Sequence, residues 1–227
     1  MIVRTTNGVK EALVLIPVIR ELRMRRPDLR ICVETERPEL FEGNILIDAV
    51  GEWVVFHEDE TYINLDAMSA KGHIMDVTSR AVLGDTRIMN RHIEVHLTDE
   101  EIDRGKTVVS GMSNVVAVCL NEGIDPEMQD NLIDEIGEWG YEAVFLDELK
   151  LPLRDSLAVI HQCELYVGMD NDISYMAMCS DVPMVMYYTS GDPLLSVPFR
   201  RGVPFISLSG DIPMSQVTDA VAEVTMG

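Results

Sequence analysis

Leu165–Pro193, LYVGMDNDISYMAMCSDVPMVMYYTSGDP, is the stretch that decides the fold. An apolar strand runs into an acidic turn, a short Met/Ala helix follows, and a second apolar strand ends in a Thr-Ser-Gly-Asp-Pro loop. Such an order is a strand–helix–strand unit of a parallel sheet, with both post-strand loops on one edge. Open α/β sheets bind ligands at that edge.

Outward from this unit the alternation persists. Val115–Leu120 and Ala143–Leu146 read as buried strands around a helix from Asp125 to Trp139, with Pro126 suited to its first turn. Leu157–Gln162 reads as a short helix capped by Asp155 or Ser156. A strand near Phe205–Leu208 and a helix from Met214 to Val224 close the chain. Towards the N-terminus, Ile2-Val3 begins a strand, and Val9–Arg25 reads as a helix with Ala12, Leu13, Ile16, Ile19 and Leu22 on one face. Pro17 kinks that helix or marks a late start. Strands follow at Arg30–Glu34, Ile47–Val50 and Thr61–Leu65, then a helix over Lys71–Leu83 ended by Gly84. Thr98 with Glu101 three residues on is a capping box. The polar run Ser110–Asn114 reads as a junction. The expectation is two parallel-sheet α/β domains, 1–110 and 111–227.

Bulk properties narrow the function classes. The chain has 227 residues, 47% of them hydrophobic, and a formal net charge of −21. That charge repels nucleic acid and anionic membranes. No run is long and apolar enough to span a bilayer, and the N-terminus reaches Arg4 without a signal-peptide core. Cys32, Cys119, Cys163 and Cys179 form no CxxC pair and sit in apolar runs, as buried free thiols do, which favours the cytoplasm. The five histidines show no metal-ligand spacing, so neither metal nor cofactor is expected. Dinucleotide, P-loop and nucleophile-elbow motifs are absent.

Three loops carry candidate chemistry. In Gly168–Asp172, backbone amides at a helix start attract phosphate, or Asp172 merely caps the helix. Thr189, Ser190 and Gly191 suit phosphate or sugar, or any turn. In the first half, Gly8, Lys10 and Glu11 form the matching loop. Glu11 is a general base on a hydroxyl or a first-turn partner of the helix dipole. Lys10 pairs with an anionic substrate or with solvent. Arg4, Arg20, Arg23, Arg25, Arg26 and Arg30 crowd the N-terminal part, as a phosphate grip or as solvated helix-end charges; Arg200-Arg201 is a weaker candidate grip.

Three segments resemble glycosyltransferase family 9, the ADP-heptose:lipopolysaccharide heptosyltransferases. They are VKEALVLIPVIRELRMRRPDLRICVETERPELFEGNILIDAV (Val9–Val50), HIMDVTSRAVLGDTRIMNRHIEVHLTDEEIDRG (His73–Gly105) and SLAVIHQCELYVGMDNDISYMAMCSDVPMVMYYTSGDP (Ser156–Pro193). The resemblance implies a GT-B-like fold, two Rossmann-like domains facing across a cleft. It also implies metal-independent transfer of a heptose-like sugar from a nucleotide-diphosphate sugar to a glycan or lipopolysaccharide-like acceptor. Counted back from Pro17, the family's catalytic aspartate falls on Glu11. Asp170, Asn171, Asp172, Ser174 and Tyr175 fall on its donor segment. Asp172 stands where the family has glycine and Tyr175 where it has histidine. Asn121-Glu122-Gly123 replace its diphosphate-neutralising lysine. A binding or scaffold protein that kept the fold and lost the chemistry is the alternative; transfer onto nucleic acid fits the charge worst.

Overall fold

The computed structural model describes residues 1–6, 8–55, 59–67, 72–120, 126–188, 203–209 and 214–226. Within it the chain divides into two compact units, with the break between His96 and Leu97.

The first unit holds a four-stranded parallel sheet of order β3-β2-β1-β4. Its strands are β1 (Ile2–Thr5), β2 (Cys32–Thr35), β3 (Ala49–Gly51) and β4 (Tyr62–Asn64). Helix α1 (Val9–Arg25) follows β1, and α2 (Ile74–Leu83) packs against it. Helix α1 begins at Val9 despite Pro17 and buries Ala12, Leu13, Ile16, Ile19 and Leu22. Val14, Leu15 and Val18 are buried as well, so the middle of α1 is covered on every side and not along one face alone. Gly84 closes α2, its N–H reaching the Arg80 carbonyl.

The arginines of this unit are struts. Arg23 donates to the carbonyls of Leu46, Pro27 and Leu29 and to Asp48, locking the end of α1 to the chain around β3. Arg25 holds Glu21, Asp85 and the Arg87 carbonyl. Arg20 holds the His92 carbonyl and Glu94.

The second unit holds a five-stranded parallel sheet of order β6-β5-β7-β8-β9. Its strands are β5 (Val115–Cys119), β6 (Glu142–Phe145), β7 (Leu165–Met169), β8 (Met184–Tyr188) and β9 (Phe205–Ser209). Its helices are α3 (Asp99–Val108), α4 (Pro126–Glu138), α5 (Leu146–Leu149), α6 (Leu153–Ile160), α7 (Asp172–Ala177) and α8 (Met214–Met226). Both sheet faces are covered, which is why these strands read as unbroken apolar runs. Val116, Val118, Leu165, Val167 and Val185 pack on Leu132 and Ile136 of α4 and on Val217 and Val221 of α8. The alternate residues, Ala117 and Tyr166, are fully buried on the opposite pleat.

Two expectations are corrected. The break falls before α3, not after residue 110. The Thr98–Glu101 capping box forms as read: Thr98 N–H donates to Glu101 Oε2 at 2.7 Å and Glu101 N–H to Thr98 Oγ1 at 3.2 Å. Glu101 is also buried against Arg154 of α6, with Nε–Oε1 at 2.6 Å and Nη2–Oε2 at 2.8 Å. That pair, together with Gly105 lying against the Ala158 backbone, seats α3 on α6. Helix α6 itself begins at Leu153, not Leu157. Pro152 sets its entry and accepts the Ser156 N–H at 2.9 Å, while Asp155 turns to Arg104 at 2.6 Å instead of capping.

Candidate functional site

Each sheet has one point where the strand order reverses. In the first, the chain runs from β1 outward through β2 to β3 and returns to β4 on β1's other side. In the second it runs from β5 to β6 and returns to β7. Ligand crevices of open α/β sheets lie beyond the C-terminal ends of the strands at such points. Here those ends are Thr5 with Asn64, and Cys119 with Met169.

At the first point, β1 ends in a tethered turn. The Thr6 N–H donates to Asp66 Oδ1 and the Thr6 hydroxyl to Asp66 Oδ2, each at 2.7 Å, and Arg4 Nε donates to Asp66 Oδ2 at 3.3 Å. Arg4 also pairs with the buried Glu34 at 3.0 Å. Gly8 is the N-cap of α1 with φ +130°, a conformation that favours glycine. A Cβ there would lie 3.5 Å from Glu11 Oε2, so the Glu11 carboxylate folds back over the Gly8 turn. Glu11 is half-buried and has no hydrogen-bond or ion-pair partner among the described residues. Lys10, also half-buried, shares this turn. Gly8, Lys10 and Glu11 therefore stand together at the strand-order reversal.

At the second point the loop after β7 is held by its own side chains. Asn171, not Asp172, caps α7: its Oδ1 accepts the Ser174 N–H at 2.9 Å. Its amide NH₂ donates to Cys119 Sγ at 3.4 Å, joining the end of β7 to the end of β5. The Ser174 hydroxyl meets Tyr166 OH at 2.6 Å and donates to the Met169 carbonyl. The Tyr175 hydroxyl donates to Asp170 Oδ1. Ser174 is thus buried framework, and the Asp170 N–H is taken by the Tyr187 carbonyl at 3.0 Å. Asp172 is exposed at the start of α7. Burial pushes the Cys119 thiol up to about 11 and the Tyr166 phenol well above its usual value, so both stay protonated at neutral pH. Burial also raises the carboxyl of Asp147, in the first turn of α5.

Thr189, Ser190 and Gly191, the Asn121–Gly123 positions and Arg200-Arg201 lie outside the described residues. The reading of the sequence missed Asp66 and Cys119. A signal for Asp66 existed: it stands just past the end of β4, as Asp170 stands just past β7. Among the described residues, no three His, Cys, Asp or Glu side chains group as metal ligands, and no helix is long and apolar enough to cross a membrane.

No protein-family model and no curated protein matches this sequence. Solved structures do match in fold. A glycosyl transferase family 9 protein from Veillonella parvula superposes with a TM-score of 0.79 at 15% identity, over 99% of this chain and 96% of its own. The ADP-heptose lps heptosyltransferase II of E. coli gives 0.70 at 12% identity, over 99% and 98%. E. coli heptosyltransferase WaaC with ADP gives 0.60 at 12% identity, over 98% of each chain. The chain has the fold of these glycosyltransferases along its whole length.

Proposed function

We propose that this chain is a divergent member of glycosyltransferase family 9. In this reading it transfers a sugar from a nucleotide-diphosphate sugar to an acceptor hydroxyl. What carries the reading is the whole-chain likeness to family 9 structures, which spans both units. The Glu11 carboxylate at the end of β1, without a hydrogen-bond or ion-pair partner among the described residues, supports it further.

In the mechanism, Glu11 accepts the proton of the acceptor hydroxyl. The freed oxygen forms a bond to the anomeric carbon of the donor. The bond from that carbon to the diphosphate oxygen breaks, and the nucleotide diphosphate leaves with the electron pair. The loop Asp170–Asp172, braced by Asn171, and the loop Thr189–Gly191 hold the donor. Preorganised donors of this kind stabilise the leaving charge. The scheme invokes no metal. By likeness, an ADP-linked heptose is the leading donor and a glycan or lipopolysaccharide-like hydroxyl the leading acceptor, in the cytoplasm.

One observation favours a second reading, a binding protein that has lost transfer. The Tyr175 hydroxyl occupies Asp170, and Asp172 adds negative charge beside the diphosphate position. A thermal-shift screen against ADP-, UDP- and GDP-sugars, followed by a nucleotide-release assay with any that stabilise, separates the two. Transfer requires stabilisation by at least one nucleotide sugar; a well-folded protein stabilised by none sinks the transferase reading.

A further inference from the structure

We propose that Asp66 is a positioning residue that holds the Thr6–Gly8 turn, and through it the Glu11 carboxylate, in its working geometry. The inference rests on the functional reading above. It starts from three donors converging on one carboxylate. Thr6 presents both its N–H and its hydroxyl to Asp66 at 2.7 Å, and Arg4 Nε adds a third contact at 3.3 Å. These bonds bridge 60 residues and join the ends of β1 and β4, the two strands that flank the reversal of strand order. Leu65 N–H to the Arg4 carbonyl, at 3.0 Å, extends the same ladder.

A carboxylate holding three donors is a good strut. Glu11, whose carboxylate has no such partner among the described residues, is left to meet substrate. What Asp66 controls is the direction in which the chain leaves β1. Beyond Thr6 the backbone passes through Gly8 at φ +130° and enters α1, whose first turn carries Glu11. If Thr6 swings, Gly8 and Glu11 swing with it. Arg4 ties the strut inward, because its guanidinium also pairs with the buried Glu34 of β2.

The test compares Asp66→Ala with Asp66→Asn. The asparagine can accept the Thr6 N–H with its oxygen and offer its NH₂ to the Thr6 hydroxyl, so it keeps both Thr6 bonds while giving up the charge and the Arg4 contact. Two quantities are read: amide hydrogen exchange of the free protein, and release of nucleotide diphosphate from ADP-, UDP- and GDP-sugars. Asp66→Ala should speed exchange at Thr6 and at Ala12, whose N–H closes on the Gly8 carbonyl at 3.2 Å, by on the order of tenfold or more. It should lower kcat by roughly tenfold to a hundredfold with donor KM unchanged, as misplacement of a reacting group does. Asp66→Asn should retain both.

Unchanged exchange in Asp66→Ala overturns the proposal, and so does faster exchange throughout residues 1–96, which marks a role in the fold alone. Loosened exchange with undiminished kcat overturns it too. So does an Asp66→Asn protein that is slow while its turn stays protected, because Asp66 would then act through its charge. A wild-type protein that releases nucleotide from no donor brings down the functional reading instead, and the exchange contrast alone then decides whether Asp66 holds the turn.

Discussion

The Asn171 side-chain amide donates to the Cys119 thiol across 3.4 Å, while its oxygen caps α7 through the Ser174 N–H. One side chain thus joins β5 to β7 and starts the helix between β7 and β8. Asn171→Ala removes both bonds and should cost about 1–2 kcal/mol, the usual cost of a lost cap. Asn171→Asp keeps the cap and removes the donor to sulfur, so it should lose less. Urea unfolding of the three proteins measures the difference; equal loss in both variants contradicts the division of labour.

Gly168 sits where a Cβ would overlap the hydroxyl and ring of Tyr166. Tyr166 is fully buried and bonded to Ser174, so it has nowhere to retreat. Gly168→Ala should destabilise by about 1–3 kcal/mol, the range of overpacked cores. A variant as stable as wild type would show that the Tyr166 ring is free to move.

Gly105 faces a less yielding neighbour, because a Cβ would lie 2.9 Å from Val159 N and closer still to the Ala158 carbonyl. The obstacle is backbone, which cannot rotate aside. Gly105→Ala should therefore part α3 from α6 and cost at least as much as Gly168→Ala. Protease sensitivity of the Leu97–Asn114 segment reports it; resistance equal to wild type contradicts the close packing.

The Arg154 guanidinium, with the Thr98 N–H, holds the Glu101 carboxyl down at about 2 although burial works against it. A depressed carboxylate stabilises above its unfolded value, near 4.5, and its contribution is lost as pH falls from about 5 towards 2. The difference corresponds to about 3 kcal/mol. Glu101→Gln should be less stable at pH 7, because the buried Arg154 loses its carboxylate partner, and should approach wild type in acid. Urea midpoints between pH 7 and 2.5 test this; parallel curves contradict it.

All four cysteines are buried, and burial raises the Cys163 thiol to about 12. Native protein should resist iodoacetamide at pH 8, and all four thiols should react after unfolding. Rapid labelling of Cys119 in the native state would mean that the Asn171 loop opens.

Local patterns were legible in the residues, and long-range pairings were not. Leu165–Met169 and Met184–Tyr188 announced themselves because strands covered on both faces are continuously apolar. The Thr98–Glu101 box was legible because both partners lie within one turn. The domain break was misread at Ser110–Asn114. Gly111 and Asn114 do adopt positive φ, so the turn is real. What sets the break is the Glu101–Arg154 pair, which spans 53 residues and leaves no local trace. Asp155 looked like a helix cap for the same reason: its partner Arg104 is 51 residues away. The N-terminal arginines suggested a phosphate grip, and Arg20, Arg23 and Arg25 serve as struts, because the carbonyls they hold come from distant loops. Glu11 was within reach of sequence reading, since it opens the helix after the first strand. Asp66 is noticeable by its place just past the end of β4, but its hold on Thr6 and Arg4 is not, because those partners lie 60 and 62 residues away.

Glycosyl transfer through Glu11 is tested most directly by comparing wild type with Glu11→Gln for release of nucleotide diphosphate from ADP-, UDP- and GDP-sugars, with and without added glycan acceptor. Wild type should release nucleotide from at least one donor, faster with acceptor. Glu11→Gln should slow that release by roughly a hundredfold or more while binding the donor equally well, as loss of a general base does. Release at the wild-type rate by Glu11→Gln, or no release by wild type from any donor, would contradict it.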